Sequence, residues 1–204
     1  MKNYNLTFEE IKNSNKKYII GVDEVGTGSL VGDAYVVAFL AEKDWDHTGL
    51  NDSKKLTPKK REKLYEEMFQ QNGEVQFVSV KVSQKNIDEL GLGAALKNRY
   101  RIVIELLLFG SNLTSTDYNI VIDGIHKVEG LDHYSLPKAD SLIKQVSAAS
   151  VLGKVARDAY MVELDRQYPQ YDWKTNKGYG TAAHKAAIKL YGLSPLHRTS
   201  FKIK

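Results

Sequence analysis

An α/β layered fold around a mixed sheet is what this sequence predicts, and three observations carry the prediction. Short apolar runs rich in β-branched residues occur at 17–23, 34–41, 74–82 and 118–124. Stretches with three- and four-residue apolar spacing lie between and after them. The first two runs are separated by a glycine-containing loop of hairpin-like length, whereas the later part of the chain is mostly helical in pattern. At 204 residues, 42% apolar and 26% charged, the chain makes one large domain or two small ones with a real core.

The elements follow in order. Residues 1–16 are polar and read as a short helix or a loose arm ahead of a unit spanning 17–204. Tyr18, Ile19 and Ile20 lead a buried strand into Asp23, and AYVVAFLA at 34–41 is the second strand. A helix follows, with Thr57 as N-cap, Pro58 at its first position and Gly73 closing it. EVQFVSVKV at 74–82 alternates Val75, Phe77, Ser79 and Lys81 against Gln76, Val78, Val80 and Val82, the pattern of a third strand. From Gly93 to Leu108 the set Leu96, Tyr100, Val103 and Leu107 marks an amphipathic helix. YNIVIDG at 118–124 is a fourth strand, and a further extended piece is expected within 126–137. Asp140 and Ser141 open a long helix with an apolar stripe of Leu142, Val146, Ala149, Leu152 or Gly153, Ala156, Tyr160 and Leu164. A last helix runs from Thr181 to Tyr191 and stops at Gly192.

Several classes are excluded or disfavoured. There is no cysteine, so disulfides and thiolate metal sites are out. The N-terminal stretch lacks the apolar segment of a signal peptide, and no apolar run is long enough to span a bilayer. A soluble, cytoplasmic protein with no membrane partner is expected. The net charge is +4, and DSKKLTPKKREK at 52–63 is dominated by Lys and Arg. Such a patch suits a polyanion such as nucleic acid; a solvated helix face has the same composition.

Four acids occupy unusual places. Asp23 and Glu24 end the first strand, Asp123 ends the fourth, and Asp140 stands at the mouth of the long helix. Open α/β sheets gather catalytic groups at strand ends. If strands one and four are neighbours, Asp23 and Asp123 stand side by side. Each acid has a plainer role open to it: Asp140 a helix cap, Asp123 a turn residue, Glu24 a solvent-facing side chain. Asp23 is harder to dismiss, because it extends a run that should be buried. Two like unit charges about 4 Å apart cost roughly 4 kcal/mol at an effective dielectric near 20. A cluster of such carboxylates therefore takes up protons or binds cations. Oxygen ligands without Cys or paired His favour Mg²⁺ or Mn²⁺, and two such ions form the usual clamp for displacement at phosphorus. Gly26 and Gly28 follow at once, around Thr27. Their backbone N–H groups can face a phosphate or a sugar hydroxyl, although a plain tight turn uses the same residues.

Seven stretches in order, GVDEVGTG, DSKKL, VIDG, KADS, AASVLGKVARD, NKGYGT with His184 after it, and HRTSF, resemble the type 2 ribonucleases H (ribonuclease HII) across 18–201. The resemblance implies a ribonuclease H-like mixed sheet flanked by helices, with a small C-terminal helical part. It implies an endonuclease that cuts the RNA strand of RNA/DNA hybrids and nicks 5′ of ribonucleotides embedded in duplex DNA. The products would be 3′-hydroxyl and 5′-phosphate ends, made with Mg²⁺ or Mn²⁺ and two ions during catalysis. By motif, the catalytic and metal-binding acids would be Asp23, Glu24, Asp123 and Asp140. Nucleic-acid contacts would fall to Gly26, Thr27 and Gly28, to Ser53 and Lys54 for phosphates, and to Tyr179 stacking beside the cleaved sugar. Ser147, Ser150, Lys177, His184 and Arg198 lie in segments expected to flank the nucleic acid; packing is the rival role for Tyr179 and His184. A monomer is expected, without a tail for docking a replication clamp after HRTSF. A non-catalytic hybrid-binding module on the same fold is the alternative.

Two departures stand out. Type 2 enzymes usually carry Gly-Arg-Gly or Gly-Lys-Gly where this chain has Gly26-Thr27-Gly28. Gly-Thr-Gly resembles the type 3 enzymes, whose extra N-terminal domain and C-terminal motifs have no counterpart here. Asp33 stands where the family commonly has proline; it would disturb phosphate approach or face water.

Overall fold

The apolar runs become strands of one sheet: β1 (Tyr18–Val25), β2 (Ala34–Glu42), β3 (Gln76–Val82) and β4 (Tyr118–Asp123). The extended piece supplies β5 (Tyr134–Leu136). The computed structural model describes residues 4–50, 53–71 and 73–203. Strand order is β3-β2-β1-β4-β5, with β1 antiparallel to β2 and parallel to β4. Val22 pairs with Ile122 as the last rung between β1 and β4, so Asp23 and Asp123 stand side by side where those two strands part, each still paired to its other neighbour, Val37 and Leu136. The mixed sheet and flanking helices are the α/β class the sequence predicts.

Helices are α1 (Tyr4–Lys12), α2 (Pro58–Gln70), α3 (Gln84–Leu90), α4 (Leu92–Leu108), α5 (Lys144–Gln167), α6 (Trp173–Asn176) and α7 (Ala182–Tyr191). Thr57 caps α2 through its side chain, and Thr181 caps α7 in the same way. One face of the sheet buries Ile20, Val22, Val36, Ala38 and Ile122 against Leu96, Tyr100, Val103 and Leu107 of α4. The other buries Val37, Phe39 and Ala41 against Ala148, Val151 and Leu152 of α5 and Leu64 and Met68 of α2. Helices on both faces explain why β1 and β2 are almost uniformly buried rather than alternating. β3 does alternate: Phe77 packs with the α2 side, while Val78, Val80 and Val82 pack with the α4 side.

Helix α5 lies directly on β1. A Cβ built on Gly21 would sit 2.3 Å from the backbone of Gln145 and Val146, so no larger residue fits between strand and helix. The C-terminal part, α6 and α7, closes around Leu30, Val31, Met161, Leu164 and Trp173. Tyr171 stacks on Trp173 there, with ring centroids 5.0 Å apart.

Three boundaries differ from expectation. The long helix begins at Lys144, not at Asp140; residues Ala139–Ser141 form a separate 3₁₀ turn entered through Lys138 at φ 60°. Leu142 therefore falls outside the stripe and is half exposed. The chain also forms α3, which periodicity missed. It has one buried residue, Ile87, and Gly91 at φ 78° separates it from α4. Gly73, expected to close α2, lies beyond its C-cap Gln71.

Candidate active site

β1, β4 and the 139–141 turn each deliver acid to one place. Asp23, Glu24, Asp123 and Asp140 line a single cleft of about 430 Å³ together with Gly26, Thr27, Ser53, Ser150, Lys154 and Tyr179. The adjacency of β1 and β4, only conditional in the sequence, is what joins the first and third of these carboxylates. Asp123 Oδ1 accepts from the Ala139 amide at 2.7 Å, which ties the β4 end to the turn carrying Asp140. Asp140 is thus a turn residue ahead of α5 and not its cap; that cap position belongs to Ile143.

Asp23 is 6% exposed. Burial first, then the charges of Glu24 and Asp123, push its carboxyl well above the usual carboxylate range. Hydrogen bonds from the Ser150 hydroxyl and the Glu24 amide oppose that rise. Ser53 Oγ and Ser150 Oγ are 2.9 Å apart. With Asp23 ionised, Ser150 donates to it, and Ser53 then donates to Ser150, a relay that ends on the acid. Arg61, itself buried, holds the Ser53 turn by donating to the carbonyls of Ser53 and Leu56 at 2.9 and 2.6 Å. Glu24 is held differently: the Tyr100 hydroxyl donates to Oε2 at 2.7 Å, and His126 Nε2 lies 3.5 Å from Oε1.

The loop after Asp23 and Glu24 is shaped from below. Gly26 has φ 84°, and a Cβ there would meet the Arg157 Nε at 1.9 Å. Buried Arg157 donates to the carbonyls of Val31, Asp33 and Lys177. Arg198 donates to the carbonyls of Gly32 and Thr27 at 2.9 and 3.0 Å. Gly28 faces outward beside the Tyr179 ring. Tyr179 is 37% exposed, with Lys154 Nζ and the Arg157 guanidinium each 5.7 Å from its ring centre.

Some sequence expectations need correction. His184 is fully buried and cannot touch a nucleic acid. Trp173 Nε1 donates to its Nε2 at 3.0 Å, and its Nδ1 lies 2.9 Å from the Tyr179 carbonyl. Arg198 and Ser147 are buried too, so they shape the site rather than meet a ligand. Lys177 lies on a smaller hollow next to the cleft, with Pro58, Arg61 and Asp158. The side chain of Lys54 is outside the described part of the structure. Asp33 neither faces the cleft nor water alone: its Oδ1 accepts from the Gln84 amide at 2.9 Å at the start of α3, and Tyr160 hydrogen bonds to it. We expect Asp33→Ala to cost about 1 kcal/mol in urea unfolding, the usual value of a lost hydrogen bond, since Ser83 still caps α3, with cleavage unchanged. A stable Asp33→Ala protein with altered cleavage would contradict this.

Sequence reasoning passed over Lys154, Tyr100 and His126. Lys154 lies inside a quoted motif. Tyr100 was read only as an apolar helix position, and His126 has no spacing partner to flag it.

A family model described as ribonuclease HII matches residues 20–204. The chain belongs to the ribonuclease HII family. A ribonuclease HII of Acholeplasma laidlawii is 38% identical over 97% of this chain and 94% of its own. That of Aliarcobacter butzleri is 42% identical over 92% of each. The fold is shared with RNase HII of Archaeoglobus fulgidus, solved in a complex with PCNA, at TM-score 0.73, 23% identity, and 91% and 96% coverage. It is shared equally with Bst-RNase HIII in complex with Mn²⁺, at TM-score 0.73 and 19% identity, covering 98% of this chain and 71% of that one. The Gly-Thr-Gly loop therefore sits in a type 2 chain. As a member of that family the protein is an enzyme, a metal-dependent endonuclease of the ribonuclease H class. None of its described helices is long and apolar enough to cross a membrane.

The donor set fits a hard divalent cation: four carboxylates on one cleft, with no thiol in the chain. Among the described residues no group of three or more His, Cys, Asp or Glu is already drawn together to hold one. Mg²⁺ is ordinarily held by one or two carboxylates, with water and substrate phosphate completing its shell.

Proposed function

We propose that this chain cuts the RNA strand of RNA/DNA hybrids and nicks 5′ of single ribonucleotides in duplex DNA, using Mg²⁺ or Mn²⁺. The observation that carries this reading is the meeting of four acids, the Gly-Thr-Gly loop and Tyr179 on one cleft. Asp23, Glu24, Asp123 and Asp140 would hold the ions, two of them during catalysis. Divalent cations at such a site lower the pKa of water and neutralise charge developing on the phosphate oxygens. Residues 17–204 form the catalytic unit in this reading.

The chain's own groups then have distinct tasks. The Ser53–Ser150 relay keeps Asp23 turned into the cleft. The amides of Thr27 and Gly28 donate to no backbone carbonyl among the described residues and are open to a sugar hydroxyl or phosphate. Tyr179 offers its ring face to the sugar or base beside the cut. Lys154, 2.7 Å from Asp158, adds positive charge at the wall. Water attacks phosphorus and the bond to the 3′ oxygen breaks, leaving a 3′-hydroxyl and a 5′-phosphate with no covalent enzyme intermediate.

With Thr27 in place of arginine, one charge-assisted contact worth about 1.5–3 kcal/mol is missing. Nicking at a single ribonucleotide should persist but be weaker than in family members that carry arginine at this position. Thr27→Arg should raise it about tenfold or more. A duplex with one ribonucleotide, a long hybrid and an all-DNA duplex, each with both metals, test this. No nicking of the first substrate would remove the embedded-ribonucleotide reading, and binding without any cleavage would leave a binding module.

A further inference from the structure

Glu24 stands next to Asp23 at a strand end, and like charges there push its long side chain away from the cleft. Two groups oppose that from behind. Tyr100, on α4, is fully buried, and its hydroxyl donates to Oε2 at 2.7 Å. His126 comes from the loop after β4 and places Nε2 3.5 Å from Oε1. The two rings touch each other, with centroids 5.0 Å apart. His126 reaches this place by folding over Gly124, where a Cβ would lie 3.1 Å from Nε2. Its carbonyl is anchored by Ser135 and by His133 Nε2. In this contact the Tyr100 hydroxyl is the donor and Glu24 Oε2 the acceptor. One oxygen of Glu24 is thus fastened from the sheet's α4 side and the other from the β4 loop.

We infer that Tyr100 and His126 are positioning residues that hold the Glu24 carboxylate in its ion-binding orientation. The inference rests on the reading of Glu24 as a metal ligand. Groups that orient a ligand from behind commonly govern metal affinity by about 10–100-fold when removed. Tyr100→Phe deletes the one hydroxyl and keeps the packing against Leu96, Val103 and Leu107, so the variant should fold.

The experiment is Mn²⁺ binding to the protein without substrate, followed by electron paramagnetic resonance, alongside thermal melting. Wild type, Tyr100→Phe, His126→Gln and Glu24→Gln are compared. Tyr100→Phe should raise the Mn²⁺ dissociation constant about tenfold, with His126→Gln smaller in the same direction. Melting temperatures of both should stay near wild type in metal-free buffer. If Glu24→Gln loses Mn²⁺ affinity but Tyr100→Phe and His126→Gln do not, the brace is refuted and the ligand assignment stands. If Glu24→Gln itself binds Mn²⁺ as wild type does, the ligand assignment falls and takes the brace with it.

Discussion

Asp23→Asn is expected to lower hybrid cleavage by about a thousandfold or more while making the metal-free protein harder to melt. The loss follows from removing one charged oxygen donor at the centre of the acidic cleft. The gain follows from the same burial. Asp23 is pressed between the protein interior and the charges of Glu24 and Asp123, and its carboxyl sits well above the usual range. An acid whose folded pKa is raised costs stability at neutral pH, and the cost fades as pH falls through that raised value. Asparagine carries no charge and keeps a carbonyl oxygen to accept from the Glu24 amide. The variant should therefore melt above wild type at neutral pH in metal-free buffer. Melting curves at neutral and mildly acid pH check it: the advantage of the variant should shrink on acidification. Adding Mg²⁺ should then stabilise wild type more than the variant. Near-normal cleavage by Asp23→Asn would overturn the assignment of the site.

The second large effect is acid loss of stability, and it arises from two buried histidines beneath Tyr179. His184 and His197 are buried side by side, with Nε2 atoms 3.3 Å apart. An indole N–H can only donate, so His184 Nε2, which faces Trp173, must be bare. Its proton therefore sits on Nδ1 and goes to the Tyr179 carbonyl. The Ser194 amide likewise makes His197 Nδ1 an acceptor, at 2.9 Å, leaving Nε2–H to point at His184. Each ring is neutral with one allowed tautomer, and an added proton would face a donor. Burial first, then the neighbouring His184, pushes His197 down from 6.5 to about 4, and burial lowers His184 as well. A folded pKa below the unfolded one means stability is fully present above pH 6.5 and is lost as pH falls toward 4. For His197 alone the loss is about 3 kcal/mol. Urea midpoints between pH 7.5 and 4.5 should fall steeply across that window. Asp88, held low by its bonds from Thr199 and Ser200 despite burial, acts only at more acid pH, so the two windows separate. A flat midpoint over this range would mean that water reaches the pair.

How much of this was legible in the sequence depends on the kind of interaction. Strands and their burial were readable because β-branched runs and alternation are local. Caps such as Thr57 and Thr181 were readable for the same reason. The meeting of Asp23 with Asp123 was only conditional, since it depends on β1 lying parallel to β4 and not on anything within either segment. Helix α3 escaped because about two turns with a single buried isoleucine leave no period to detect. Motif membership placed Ser53, Ser150 and Tyr179 on the cleft, yet it could not tell a residue that lines a site from one that supports it. His184 and Arg198 were therefore expected at a ligand and instead lie beneath it. Tyr100 and His126 meet Glu24 from distant parts of the chain, and no local pattern announces such a meeting.

The direct seating of α5 on Gly21 has a consequence for how this protein tolerates change. The gap between the strand bearing Asp23 and Glu24 and the helix bearing Ser150 is set by main chain against main chain. At Gly21 no side chain serves as a spacer to lengthen or shorten. Two glycines share the constraint that keeps the cleft's dimensions fixed: Gly21 under Gln145 and Val146, and Gly153, where a Cβ would lie 2.8 Å from Val25.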